Sequence, residues 1–443
     1  MTLDLLPVLA VAAAGVVVAA FVGALAWRAG ALLAVSLLVV VLEVDVEPIW
    51  GSGADKVRDV VAAAALLLAA VIGWWRLDRD RLLVFATPIV YLLLLLGTGV
   101  LLAPWSIAPV GSAQRAAGAT ALVVVMLVVV ARCGFLEVFE AVLVGLIIVV
   151  VASAVWELFG AGTPVLDWKG DVDTGLAGIE RRSGLSGDPN ALGRAAALCA
   201  VGGATLTGRG RGWLPITAEI VGLAGLFLAQ SRTAMLVGVL VVVVVHIRQG
   251  FIWVAAAGAA VATLVTAILL STGTSTVALV TREGADGSEL ATVTGRTGLW
   301  NVVWSMVWDH TFIGYGAFAA KEALEPAVEN RWIPFEAADA HNLALDVFLT
   351  RGLFGVMLLV ALVASILSHR PPRRRWPDPA VTLLVAFALL SLTENTLRKP
   401  AAPLMIVAVA VAALTMWPNR PTVPRFVAVG SRRQASGRAS TLS

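Results

Sequence analysis

Leu226–Phe227–Leu228–Ala229–Gln230–Ser231–Arg232–Thr233–Ala234 is the stretch that decides the fold class. The polar residues Gln230, Ser231 and Arg232 interrupt two apolar stretches, 213–230 and 233–248, each of which reads as a membrane-crossing helix. A turn of two or three residues therefore carries a guanidinium at the tip of a helical hairpin. A fixed charge at the end of two membrane helices is costly, and charges kept there usually serve function. The blander reading is an interfacial anchor whose head group snorkels to lipid phosphates.

Working outward, the chain of 443 residues is 59% hydrophobic and 14% charged, with a mean hydropathy of +0.90, far outside the range of soluble domains. Apolar runs recur at 5–27, 30–45, 58–75, 82–104, 115–132, 136–159, 189–207, 213–230, 233–248, 251–271, 342–368, 379–394 and 402–417. The expected fold is all-α: a polytopic membrane protein with about 12–13 transmembrane helices. The first run lacks a basic leader and a convincing cleavage site, so it reads as a retained helix. The second is short and ends in Glu43, Asp45 and Glu47; either of these first two runs could be re-entrant. Cys133 and Cys199 suggest neither a disulfide framework nor a metal site. The sequence pI of 9.2 does not point to nucleic acid, because the basic residues are scattered over short linkers and the tail.

Arginine sets the orientation. Arg28, Arg76/Arg79/Arg81, Arg132, Arg209/Arg211, Arg248, Arg370 with Arg373–Arg375, and the tail from Arg420 to Arg438 fall on alternating linkers, which marks those as cytoplasmic. The domain organisation expected is N-terminal helices over 1–104, a main transmembrane region over 105–417 and a basic, disordered tail over 418–443. The opposite face then receives 46–57, 105–114, 160–188 and one large outer loop of about 272–341. Arg115, Arg182, Arg232, Arg296 and Arg398–Lys399 each lie beside a helix end on that face, against the usual charge bias. Such a cluster of cations calls for an anion. In the loop, Trp300, Trp304 and Trp308 recur every four residues, giving one aromatic face that either lies on the bilayer surface as part of a lid or packs on the bundle. A second short helix is expected near 317–329, with Gly314–Tyr315–Gly316 as a turn before it.

A family resemblance emerges from several motifs in order. Trp105–Ser106–Ile107–Ala108–Pro109 with Ser112 and Arg115, Arg182–Ser183–Gly184–Leu185 with Asp188–Pro189–Asn190, and Ser231–Arg232–Thr233–Ala234 come first. Gly295–Arg296 with Trp300, then Gly314–Tyr315–Gly316, His341–Asn342 with Gly352–Leu353 and Gly355, and finally Glu394–Asn395 follow. Together they resemble the O-antigen ligase and O-antigen polymerase superfamily over residues 105–400. Two positions depart from the pattern: Thr311 stands after His310 where relatives often carry proline, and Arg351 stands where many have an acidic or small residue. The second departure bears on acceptor or lipid contacts.

The resemblance implies a glycosyltransferase C-like membrane enzyme of the bacterial cytoplasmic (inner) membrane, with its active site on the extracytoplasmic face. It implies a polyprenyl-pyrophosphate-linked glycan as donor, a glycan, lipid or protein acceptor, contact with membrane lipids, and neither metal nor other cofactor. His341 suits the general base, since imidazole titrates near neutrality. Arg232, with Arg182, Arg296 and Arg115, suits the pyrophosphate, because a guanidinium offers phosphate a planar fork of donors. Glu394, Asn342 and Ser231 are supporting candidates; Glu394 either orients the imidazole or pairs with an arginine.

Each candidate has a plainer rival. A lone histidine at a helix start more often caps or packs, and Arg182, beside Arg181 in a polar loop, equally reads as a solvated charge. Asp78–Arg79–Asp80 resembles a metal-binding Asp-x-Asp but sits between arginines on the cytoplasmic side. Gly208–Arg209–Gly210–Arg211–Gly212 lacks the Lys-Ser/Thr of a phosphate loop. Two other functions stay open: a protein O-oligosaccharyltransferase, and a lipid-linked glycan flippase or transporter. The latter is disfavoured, since its charges belong near the bilayer midplane and in internal repeats.

Overall fold

A computed structural model describes residues 28–44, 87–159, 181–207, 212–251, 296–333, 339–368, 378–397 and 402–416. Among the described residues the regular structure is all helical. The α-helices are α1 (Arg28–Glu43), α2 (Thr87–Leu101), α3 (Pro109–Cys133), α4 (Phe135–Leu158), α5 (Pro189–Leu206) and α6 (Leu214–Ala229), then α7 (Arg232–Gln249), α8 (Arg296–Met306), α9 (Ala320–Glu329), α10 (Leu343–Ser368), α11 (Pro379–Ser391) and α12 (Ala402–Met416). Four of them, α3, α4, α7 and α10, are long and apolar enough to cross a membrane, and α1, α2, α6, α11 and α12 are shorter apolar helices. The protein is an all-α polytopic membrane protein. The expected runs at 5–27 and 58–75, nearly all of 251–271, and the tail fall outside the described residues, as do the Asp78–Asp80 and Gly208–Arg211 motifs.

α5 and α12 form the interior. Every residue of α12 from Ala402 to Thr415 is buried, which suits a helix that is apolar all round. It packs on α3, α4 and α11, while α5 packs on α6, α7 and α11. α5 is rich in Ala and Gly, and small residues let membrane helices approach closely. Gly222 of α6 marks the closest approach: a Cβ there would lie 2.4 Å from the backbone nitrogen of Ala200. Free Cys133 and Cys199 are both buried.

α10 is broken at Gly352, whose φ of 60° and ψ of −161° suit glycine alone. The backbone groups released by the break need partners inside a membrane. Residues 311–316 supply them: Leu353 N–H donates to Thr311 O (2.7 Å), Phe354 N–H to Phe312 O (3.2 Å), Tyr315 N–H to Leu349 O (2.9 Å) and Gly316 N–H to Thr350 O (3.0 Å). Gly314–Tyr315–Gly316 is thus a docked segment rather than a free turn.

The tryptophan face also divides. Leu299 and Val303 of α8, with Val307 just beyond it, pack into a small apolar core with Leu324 and Leu349. The expected aromatic stripe lies one position round the helix, so Trp304 and Trp308 stay 52% and 56% exposed, edge-on to Phe348. Trp300 turns inward and its Nε1–H donates to Ala340 O at 2.9 Å. The expected helix near 317–329 is α9.

Candidate active site

Several loop ends meet at one end of the bundle. Asp188 caps α5 by accepting from Asn190 N–H at 2.9 Å, and Pro189 takes the first helical position, where its missing N–H costs nothing. The residues before the cap settle on the end of α4. Glu157 accepts from Gly184 N–H (3.0 Å) and from Arg182 Nη1 (3.3 Å). Asn190 Oδ1 then accepts from Arg181 Nη2 and from Ser231 Oγ, each at 3.1 Å. Gln230 adopts a left-handed conformation that ends α6, Ser231 is extended, and Arg232 is the first residue of α7. Arg232 is therefore half-buried at the positive end of a helix dipole.

One helical turn after Asn190, Arg194 reaches a carboxylate that organises the rest of the cluster. Glu394 lies just past α11 and is 3% exposed. Its Oε2 accepts from Arg194 Nη1 at 3.1 Å, and its Oε1 accepts from Arg296 Nη2 at 2.6 Å. Arg296 also donates to Thr393 O. His341 Nδ1 stands 3.6 Å from Glu394 Oε2 and 3.5 Å from Asp339 Oδ1, ion-pair separations rather than ideal hydrogen bonds. Both carboxylates face the same ring nitrogen, which assigns the proton to Nδ1 and leaves Nε2 as the basic nitrogen.

The backbone at His341 is unusual, with a φ of +47°. A non-glycine residue in this region costs about 1–3 kcal/mol and persists only where its surroundings hold it. Here Asp339 Oδ1 accepts from His341 N–H (2.7 Å), Trp300 holds Ala340 O, and Asn342 Nδ2 donates to Leu392 O (2.8 Å) beside Glu394. Asn342 Oδ1 also accepts from Leu345 N–H at 3.0 Å, capping α10.

The electrostatics follow from these contacts. Burial pulls the His341 imidazole down, but Glu394 and Asp339 outweigh that and Arg296's opposing charge, so its pKa is raised above the ordinary value. Burial likewise works against the Glu394 carboxylate; His341, Arg296 and Arg194 overcome it and hold the group down at about 2. The cluster is thus a carboxylate fixed between two guanidiniums and presented to an imidazole.

The sequence candidates distribute unevenly. His341, Arg296 and Glu394 come together, with Asn342 beside them. Ser231 and the start of α7 join them through Asn190 and α5. Arg182 pairs with Glu157 instead. Arg115, in the second turn of α3, donates to Phe318 O (2.6 Å) and lies 3.4 Å from Glu322 Oε1, a separate cluster. α3 begins at Pro109, six residues before the expected start of that span, because Pro109 provides a favourable first helical position. Two further members, Arg194 and Asp339, are absent from the sequence reading. Arg194 carried a usable signal, a charge inside an otherwise apolar helix. Asp339 had none beyond its closeness to His341. Among the described residues no three His, Cys, Asp or Glu side chains gather as a metal site would require.

Residues 218–360 match the family model described as O-antigen ligase. The match supports the O-antigen ligase superfamily resemblance drawn from the motifs. The matched segment runs from α6 into α10 and contains Arg232, Arg296 and His341, whereas Arg194 and Glu394 lie on either side of it. No curated protein matches the chain.

Proposed function

We propose that this protein is a membrane glycosyltransferase that moves a glycan from a polyprenyl-pyrophosphate carrier to an acceptor hydroxyl, as a ligase or polymerase of cell-surface polysaccharide. The reaction is assigned to the outer face of the bacterial cytoplasmic membrane. The observation that carries the reading is the His341–Glu394–Arg296 cluster around a buried carboxylate, drawn from three separate parts of the chain and sharing one bundle end with Arg232.

In this reading His341 Nε2 takes the proton of the acceptor hydroxyl as its oxygen attacks the anomeric carbon. The bond from that carbon to the pyrophosphate oxygen breaks, and polyprenyl pyrophosphate departs with the electron pair. Glu394 and Asp339 fix the ring and steady the imidazolium that forms, a role typical of a carboxylate partner. Arg232 binds the departing phosphates at the N-terminal end of α7, where backbone N–H groups favour an anion. Cationic side chains rather than a metal ion supply the charge. Arg182 and Arg115, each with Nη1 on a carboxylate, Glu157 and Glu322, are secondary contributors to binding the same anion.

A transporter of lipid-linked glycans is the rival. Purified protein in proteoliposomes, given a labelled lipid-linked glycan and candidate acceptors, separates the two. A transferase joins label to acceptor and releases polyprenyl pyrophosphate; movement of intact lipid without release refutes the proposal. Lengthened glycan indicates a polymerase, and transfer to a different carrier indicates a ligase or a protein glycosylating enzyme.

A further inference from the structure

Arg194 is the least expected side chain in the cluster. It rises from α5, the interior helix whose other neighbours in sequence are Ala, Leu and Gly, and its side chain is only 14% exposed. A guanidinium there needs a reason, since it must be taken out of water and paired. Its partner is Glu394 Oε2, at 3.1 Å. That is the oxygen facing His341 Nδ1 at 3.6 Å, while the other carboxylate oxygen is occupied by Arg296 at 2.6 Å.

We propose that Arg194 is a positioning residue that shares Glu394 Oε2 with the imidazole and so limits how tightly this carboxylate holds the His341 proton. The inference rests on His341 being the base. A lone buried carboxylate beside a histidine stabilises imidazolium and leaves little free base near neutral pH. Two guanidiniums, one on each oxygen, offset that effect while keeping the carboxylate ionised and aimed. The groups facing His341 are Glu394 beyond α11, Asp339 on its own turn, and Arg296 from α8. Arg194 is faced in turn by Glu394, Asp188, Glu43 and Asp339. Removing Arg194 leaves Glu394 less neutralised, so the carboxylate holds the imidazole proton more tightly.

The test is the pH dependence of kcat/KM for glycan transfer by wild type, Arg194→Met, Arg194→Gln, Arg194→Lys and His341→Ala in proteoliposomes. Arg194→Met should move the acidic limb upward by about one pH unit, so that its deficit relative to wild type shrinks as pH rises. Arg194→Gln, which keeps a neutral polar amide in place of the charge but ends two bonds short of the guanidinium nitrogen that reaches Oε2, should move the limb the same way. Arg194→Lys should restore it. A limb coincident with wild type in Arg194→Gln, or a uniform loss at every pH in both neutral variants, overturns the proposal and leaves Arg194 a packing residue. Full activity in His341→Ala overturns the underlying assignment of the base instead, whatever the Arg194 variants do.

Discussion

Replacing Glu394 by glutamine keeps the shape of the side chain and removes its charge. In the wild type Glu394 Oε2 lies 3.6 Å from His341 Nδ1, and the imidazole pKa is raised despite burial. An opposite charge at this range moves a pKa by about 1–3 units, or about 1.4–4 kcal/mol. Arg296 and Arg194 already neutralise much of that carboxylate, so the lower end, about one unit, is expected. The sign is fixed by the base's chemistry. Imidazole accepts a proton only when neutral, so transfer rises with pH through the folded pKa; without the anion that pKa falls, and the acidic limb of kcat/KM moves to lower pH. The plateau should drop as well, by about tenfold or more, because Arg194 and Arg296 lose the anion that pairs with both, one of its two acceptor oxygens becomes an amide donor, and the ring loses its orienting partner. The assay is transfer of labelled glycan across a pH series in proteoliposomes. A limb that stays in place, or moves to higher pH, refutes the argument that Glu394 acts on His341.

Other variants probe other parts of the account. Arg232→Ala should lower turnover at least about tenfold and Arg232→Lys should not restore it, since an ammonium lacks the planar fork; near-normal transfer by the alanine variant removes Arg232 from the site. Gly222→Leu should destabilise the fold by about 1–3 kcal/mol or more, because its side chain must enter the α5 backbone, and thermal unfolding in detergent reads this directly. Gly352→Ala should cost a similar ~1–3 kcal/mol by straining a conformation that suits glycine and by pushing a Cβ to 2.4 Å from the Phe312 carbonyl carbon. Unchanged melting in the Gly352 variant would mean that the break in α10 is not maintained.

Much of the helical layout was legible in the sequence because bilayer length and apolarity are strong local signals. The ends of α4, α5, α6 and α10 lie within about two residues of their apolar runs. Where runs and helices differ, side-chain chemistry explains it: α3 extends back to Pro109, and Arg232 joins α7 instead of its turn because Ser231 already has extended geometry. His341, Arg296 and Glu394 could be singled out from motif order, but their mutual contact could not, since 45 residues separate Arg296 from His341 and 53 separate His341 from Glu394. Arg194 is less legible, because its charge lies inside an apolar helix rather than at a loop end. The tryptophan repeat leaves surface and bundle packing open in the sequence; in the structure Leu299, Val303 and Val307 take the core, Trp300 packs against it and Trp304 and Trp308 stay exposed. The pairing of 311–316 with the α10 break follows from backbone hydrogen bonds, which residue types alone do not specify.

If His341 is the base of a glycan transfer, His341→Ala removes the group that takes the acceptor's proton. Purified wild type and variant are compared in single-turnover transfer from a lipid-linked glycan, with donor binding measured in parallel. The variant should still bind donor but transfer about 10²–10⁴-fold more slowly. Transfer at the wild-type rate with the donor bound would contradict it.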